Sequence, residues 1–163
     1  MKKILIIGCP GSGKSYLSRK LASIYNIPCF HIDNLYWNSD KTHITREELK
    51  SKYDDILSLD EFILDGNYIS TMEYRLNYAN TVIFLDFSLD ECIKGIKNRT
   101  NEVRDDIPWV QNEIDSEELI AWIRTFDERE RNVIIKLLEN FKGTKIILKN
   151  KEEVDCYLNK IKK

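Results

Sequence analysis

The sequence predicts an α/β fold of three layers, a parallel sheet with helices on both faces. Two observations carry that prediction. Gly8-Cys9-Pro10-Gly11-Ser12-Gly13-Lys14-Ser15 matches G-x-x-x-x-G-K-[ST] at every required position, between an apolar run and an amphipathic segment. Five short apolar runs then alternate with helical patterns along 163 residues, the order that lays strands in parallel and packs helices over them. No repeat, low-complexity tract or linker interrupts the chain, so residues 1–163 read as a single domain, enough to bury a proper core.

The apolar runs are Lys3–Ile7, Pro28–Ile32, Glu61–Leu64, Thr81–Leu85 and Thr144–Leu148. After the first run and its glycine-rich loop, Leu17, Leu21 and Ile24 recur at helical spacing. Thr45-x-x-Glu48 reads as a capping box opening a helix with Leu49, Tyr53, Ile56 and Leu57 on one face. Ser88-x-x-Glu91 reads as another, opening a helix through Ile93 and Ile96. One longer helix is predicted from Asp115-x-x-Glu118 through Leu119, Ile123, Phe126, Val133, Leu137 and Leu138, ending at Gly143 in a left-handed cap. Val154, Leu158 and Ile161 give the last helix its stripe. Residues 99–114 are polar, charged and broken by Pro108, which marks them as a lid segment.

Composition narrows the function classes. A net charge of −2 and a pI of 5.8 give no footprint for duplex nucleic acid or an anionic membrane, so direct DNA binding is not expected. Lys149, Lys151, Lys160, Lys162 and Lys163 cluster near the C-terminus and read as a solvated helix face. Cys9, Cys29, Cys92 and Cys156 form no C-x-x-C pair, and with two histidines a structural zinc site is not expected. Reduced thiols suit a cytoplasmic protein. The start Met1-Lys2-Lys3 followed by Ile4–Ile7 imitates a signal segment, but four apolar residues fall short of a core of roughly 7–15 residues.

The loop itself carries the chemistry. Gly8, Cys9, Pro10, Gly11, Ser12 and Gly13 supply a backbone that curls its N–H groups around a phosphate at a helix N-terminus. Lys14 is placed to reach the β- and γ-phosphates of a nucleoside triphosphate, and the Ser15 hydroxyl to ligate Mg2+. A parallel sheet binds ligands beyond the carboxyl ends of its strands, which directs attention to the residues after each later run.

After the second run come His31, Asp33, Tyr36 and Trp37. Asp33 is the candidate to accept a hydroxyl proton or to bind Mg2+ through water, and His31 reads as packed. After the third come Asp65, Gly66, Asn67 and Tyr68. The pattern of an apolar run ending in an acid makes Asp65 a candidate metal ligand. Asp86 after the fourth run has the same pattern but precedes a helix start, so Asp65 is preferred. Tyr36, Trp37 and Tyr68 are candidates to stack on an acceptor ring, and Arg75 to hold an acceptor phosphate or the transferring phosphoryl group. Arg99 and Arg104 bracket the lid and are candidates to close over the transferring phosphoryl group; Arg124, Arg129 and Arg131 follow on the next helix. Asn150 after the fifth run is the remaining nucleotide-side candidate. Asn150-Lys151-Glu152-Glu153 faintly echoes the guanine-reading N-K-x-D, but it ends in Glu and no D-x-x-G segment follows a strand, which favours ATP over GTP.

Taken together, G-C-P-G-S-G-K-S at 8–15, H-I-D-N-L-Y-W at 31–37, L-D-G-N-Y at 64–68 and Arg75 resemble the DNA topology modulation protein-like family, related to adenylate kinase and shikimate kinase. The segments V-I-F-L-D at 82–86, N-R-T at 98–100 and R-D-D at 104–106 extend the resemblance over nearly the whole chain, as does the Trp122-Ile123 helix. It implies a P-loop kinase core of five strands in the order 2-3-1-4-5 with a small lid, binding ATP and Mg2+. It also implies donor and metal roles for Lys14 and Ser15, acceptor-side roles for Asp33, Asp65 and Arg75, and lid roles for Arg99 and Arg104. Nucleoside monophosphate kinases clamp the acceptor phosphate with arginines between the second and third strands, where this chain has Arg46 alone. Asp33, Trp37 and Asn67 suit a hydroxyl-bearing or neutral acceptor better. The expected function is therefore phosphoryl transfer from Mg·ATP to a small molecule or nucleotide. The alternative is an ATP-binding regulator that affects DNA topology through DNA or a protein partner.

Overall fold

Burial on both faces explains why the apolar runs are nearly continuous. In a computed structural model, which describes residues 2–162, Leu5 and Ile7 of strand β1 (Lys3–Gly8) join the core on one face. Ile4 and Ile6 join the core on the other. Met1 of the signal-like start and Lys163 of the lysine cluster lie outside the described residues. The remaining strands are β2 (Cys29–His31), β3 (Phe62–Asp65), β4 (Thr81–Leu85) and β5 (Thr144–Leu148). All pairings are parallel, and the sheet order is β2-β3-β1-β4-β5. Each predicted run contains or closely overlaps one strand.

The helices divide between the two faces as their stripes require. Helix α1 (Lys14–Tyr25) buries Leu17 and Leu21 against Ile4, Ile6, Ile63 and Ile83. A single turn, α2 (Ile32–Tyr36), follows β2. Helix α3 (Arg46–Leu57) forms the Thr45–Glu48 capping box and buries Leu49, Tyr53, Ile56 and Leu57 on the opposite face, joined there by α4 (Ile69–Leu76). Helix α5 (Leu89–Asn98) forms the Ser88–Glu91 box and buries Cys92 and Ile96.

The long helix departs from expectation. It is two helices, α6 (Glu113–Ile123) and α7 (Asn132–Asn140), joined through a π-helical turn at Asp127–Arg131. Its start is also earlier, because Asn112 and Asp115 form the capping box. A π turn widens the helix by one residue per turn and so resets which side chains face inward. Here Glu130 reaches Asn67 at 3.0 Å, and Arg131 makes two bonds to Asp86 at 2.6 and 2.8 Å. Gly143 is not left-handed, and the residue that follows α7 is an extended Phe141. Glycine is needed at 143 for space, since a Cβ would stand 2.5 Å from the Asn80 carbonyl. Helix α8 (Lys151–Ile161) returns to the α1 face with Val154 and Leu158 buried. Among the described residues, no helix is long and apolar enough to cross a membrane.

Candidate active site

The carboxyl ends of β1, β2 and β3 open into a cleft of about 820 Å3. Its floor is the phosphate loop. Gly13 ends that loop in the left-handed region, φ 90°, and its carbonyl accepts the Leu17 N–H, so the chain turns at once into α1. Gly11 also lies at positive φ, and its backbone rests on α5: a Cβ on Gly11 would stand 2.0 Å from the Cys92 carbonyl oxygen. Gly95 of α5 is its counterpart, 2.1 Å in the same sense from the Gly11 oxygen. This glycine-to-glycine contact seats the loop, and sequence reasoning missed Gly95. A glycine inside an otherwise amphipathic helix was the available signal.

Lys14 Nζ donates to the carbonyls of Gly8 and Cys9 at 2.8 and 3.1 Å, and the Ser12 N–H bonds the Cys9 carbonyl at 3.2 Å. Cys9 is buried against Cys92; their mutual hydrogen bond, then burial, drives the Cys9 thiol far above its ordinary range. Pro10, Gly11, Gly13, Lys14 and Ser15 line the cleft.

The facing wall includes the segment after β3. Asn67 accepts the Gly8 N–H at 2.9 Å and donates to Glu130, so one side chain ties the loop base to the π turn. The Tyr68 hydroxyl donates to Asp33 Oδ1 at 2.8 Å. Burial raises the Asp33 carboxyl above the usual carboxylate range, opposed by the Tyr68 hydrogen bond and the charge of Lys14. Trp37 stands beside Asp33 on the cleft wall, edge-on to Tyr36 and to Trp109 of the lid segment.

Arg75 occupies a different place from the expected one. It is fully buried and does not line the cleft. Its guanidinium donates to the carbonyls of Gly66 at 3.1 Å and Tyr68 at 3.2 Å, and to that of Asn67. Burial lowers its pKa to about 10. The physical reason is the backbone it serves. Tyr68 has φ 42°, a conformation that a non-glycine residue holds only when its surroundings fix it. Arg75 fixes it, and thereby presents Asn67 and Tyr68 to the site.

Arg99, Glu102, Arg104 and Asp106, from the segment expected to form a lid, line the cleft. Arg19 of α1 pairs with Asp105 at 2.7 Å, and the Ser15 hydroxyl donates to Asp106 Oδ2 at 2.5 Å. Arg104 pairs with the same carboxylate and reaches Gln111 at 3.5 Å. Burial would raise the Asp106 pKa, but the bonds from Ser15 and Arg104 outweigh it and hold it below the ordinary range. Asp106 Oδ1 is buried without a partner. Arg99 also lines the cleft, its pKa lowered to about 10 by burial, its Nε buried and unpartnered. Of the later arginines, Arg129 lines the cleft and stacks on Trp122 at 3.6 Å, Arg131 pairs with Asp86, and Arg124 stays outside.

Asp65 lines the cleft, yet its Oδ2 already accepts from Ser18 at 2.5 Å and faces His31 Nδ1 at 2.6 Å. The carboxylate that meets Ser15 is Asp106, which the sequence reading did not single out. Asn150 does not line the cleft; its side chain caps α8 by accepting the Glu153 N–H at 2.9 Å. Lys14, Ser15, Asp33, Trp37, Asp65, Asn67, Tyr68, Arg99 and Arg104 are thus brought together on the cleft lining, whereas Gly8, Cys9 and Ser12 of the loop, and Arg75 and Asn150, do not line it.

Neither a family model nor a curated protein matches the sequence, so the motif resemblance stands without that support. Solved structures do match. Shikimate kinase from Bacteroides thetaiotaomicron superposes with a TM-score of 0.63 at 14% identity, over 98% of this chain and 95% of that one. Shikimate kinase from Acinetobacter baumannii in complex with shikimate superposes with a TM-score of 0.60 at 15% identity, over 99% of this chain and 91% of that one. The chain therefore shares the fold of these P-loop kinases from end to end.

Proposed function

We propose that the chain is an ATP-dependent phosphotransferase that moves the γ-phosphoryl group of Mg·ATP to a small acceptor bearing a hydroxyl group. One observation carries this reading: the phosphate loop and a half-buried carboxylate of raised pKa, Asp33, line the same cleft of about 820 Å3. The loop N–H groups and Lys14 hold and neutralise the donor phosphates. Asp33 accepts the proton of the attacking hydroxyl, its raised pKa bringing it nearer the working pH, where a general base is most effective. Arg99 and Arg104 stabilise charge that develops on the transferring group.

The Ser15 hydroxyl and the Asp106 carboxylate fit Mg2+, because both are oxygen donors and Asp106 Oδ1 is buried with no partner. When bound there, Mg2+ supplies positive charge to the phosphate oxygens. The shared fold of the two shikimate kinases supports the reaction class, and the lack of an arginine cluster between β2 and β3 supports a neutral rather than a phosphorylated acceptor.

The test is ADP production from Mg·ATP with panels of nucleosides, nucleoside monophosphates, polyols and hydroxy acids. At least one hydroxyl-bearing acceptor is expected to raise turnover above a Lys14→Ala control. Intact ATP binding with no acceptor above that control would overturn the proposal.

A further inference from the structure

A second set of donor atoms lies on the α1 face of the sheet, and its chemistry differs from that of the Ser15–Asp106 pair. Side chains alternate along β2, so Cys29 and His31 share one face; the parallel register sets His31 beside Asp65 of β3. Cys29 Sγ, a ring nitrogen of His31 and a carboxylate oxygen of Asp65 all lie within 4.8 Å of one another. The fully buried Ser18 of α1 closes the cluster, its single O–H proton placed between Asp65 Oδ2 at 2.5 Å and the Ser15 carbonyl at 3.0 Å. From this juxtaposition we propose that Cys29, His31 and Asp65 form a binding site for one thiophilic divalent cation of the zinc or cobalt type.

The donor set selects the ion. Sulfur, imidazole nitrogen and a single carboxylate suit zinc, whereas Mg2+ takes oxygen ligands and keeps its water. Asp65 Oδ2 and His31 Nδ1 are 2.6 Å apart, so the cation replaces the proton between the two groups, which passes to solvent from an imidazolium or to His31 Nε2 in a neutral ring. The Cys29 proton leaves to solvent on ligation. Three protein ligands leave a fourth position open, as zinc accepts. Cys-x-His on an edge strand with an acid from the next strand has none of the paired spacing of a structural zinc motif, which is why sequence counting passes over it. Occupancy joins β2 to β3, and Ser18 connects the site to the backbone of the phosphate loop.

The experiment is a cobalt titration of the full, metal-stripped chain followed by absorbance. One equivalent is expected to give a thiolate-to-metal charge-transfer band in the near ultraviolet with the visible bands of tetrahedral cobalt, both bleached by one equivalent of zinc. Cys29→Ser, with its fold checked by circular dichroism, loses the charge-transfer band and binds roughly tenfold more weakly or worse. Cys156→Ser, which removes the exposed thiol, keeps the full spectrum. At the same concentration, zinc raises the melting temperature of the wild type by more than that of Cys29→Ser. A wild-type chain that stays colourless with cobalt overturns the proposal, as does a charge-transfer band that survives in Cys29→Ser or disappears in Cys156→Ser.

Discussion

Lys14 and Ser12 shape the floor of the cleft through hydrogen bonds within eight residues, Gly8 to Ser15, to which α5 adds a seat at Gly95, whereas the facing wall joins groups far apart in sequence. Lys14 reaches carbonyls six and five positions back. Across the cleft, Tyr68 meets Asp33 over 35 positions, Gly8 meets Asn67 over 59, and Ser15 meets Asp106 over 91. A local device depends on glycine, proline and spacing, and its parts fail one at a time. A long-range device depends on the frame that brings its parts together, so residues outside the cleft govern it. Arg75 is such a residue.

Lys14→Ala probes the floor and carries the largest expected effect, a fall of about 10³-fold in turnover. Its side chain bonds only carbonyls of its own loop, so the melting temperature should stay close to wild type. Steady-state kinetics beside a thermal melt checks both. Activity surviving in a folded variant would show that the floor is not the donor site.

Arg75→Ala probes the frame and should behave in the opposite way. It leaves the carbonyls of Gly66, Asn67 and Tyr68 without their donor, costing about 3 kcal/mol, which lowers the melting temperature by roughly 6–12 °C for a domain of this size. Denaturant unfolding gives the number directly. If stability instead held and only the KM for the acceptor rose, Arg75 would belong to the acceptor site after all.

Asp33→Asn separates chemistry from scaffold on the facing wall itself. An amide can still accept from Tyr68 but cannot take a proton, so kcat/KM should fall about 10²-fold. The pH profile gives a second check. Because the Asp33 pKa is raised, the wild-type rate should fall with acid at a pH above the ordinary carboxylate range, a limb that the variant lacks. The sign of the stability effect follows as well. A raised folded pKa gives stability below the unfolded value of about 4 that is lost as pH rises through the folded value. At pH 7 the wild type therefore carries the cost of a buried charge, and Asp33→Asn should be at least as stable in a denaturant titration.

The contrast between the walls also explains what could be read from the residues alone. Strands, the two Thr45 and Ser88 capping boxes and the phosphate loop depend on neighbours in the chain, and each lies where its pattern places it. Asp33 and Asn67 line the cleft beside the loop because a parallel sheet gathers the residues after its strands. Arg75 was misplaced because sequence shows a charge near a site but not whether it faces a ligand or a backbone. Asp106 went unread because nothing local distinguishes it from Asp105, which pairs instead with the exposed Arg19. The π turn was invisible for a related reason: Leu119, Ile123 and Phe126 keep helical period up to its edge, and the partners of its side chains, Asn67 and Asp86, lie on other elements.

Asp106→Asn tests the link between the walls and carries the smallest effect of this series. The amide keeps the shape and an acceptor for Ser15 but loses the charge, so the Mg2+ concentration that gives half-maximal ATP binding should rise about tenfold, near 1.4 kcal/mol. Calorimetric ATP titrations at several Mg2+ concentrations measure it without relying on turnover. Acid should expose the same carboxylate through stability. Its folded pKa lies below the ordinary value because Ser15 and Arg104 hold the ionised form against burial, so its contribution is present above about pH 4 and is lost as pH falls through the folded value. The wild type should exceed Asp106→Asn in stability at neutral pH, and that difference should close as the solution is acidified. A difference that stayed constant with pH would mean that Asp106 serves the lid by shape alone, and the two walls would then be joined by packing rather than by charge.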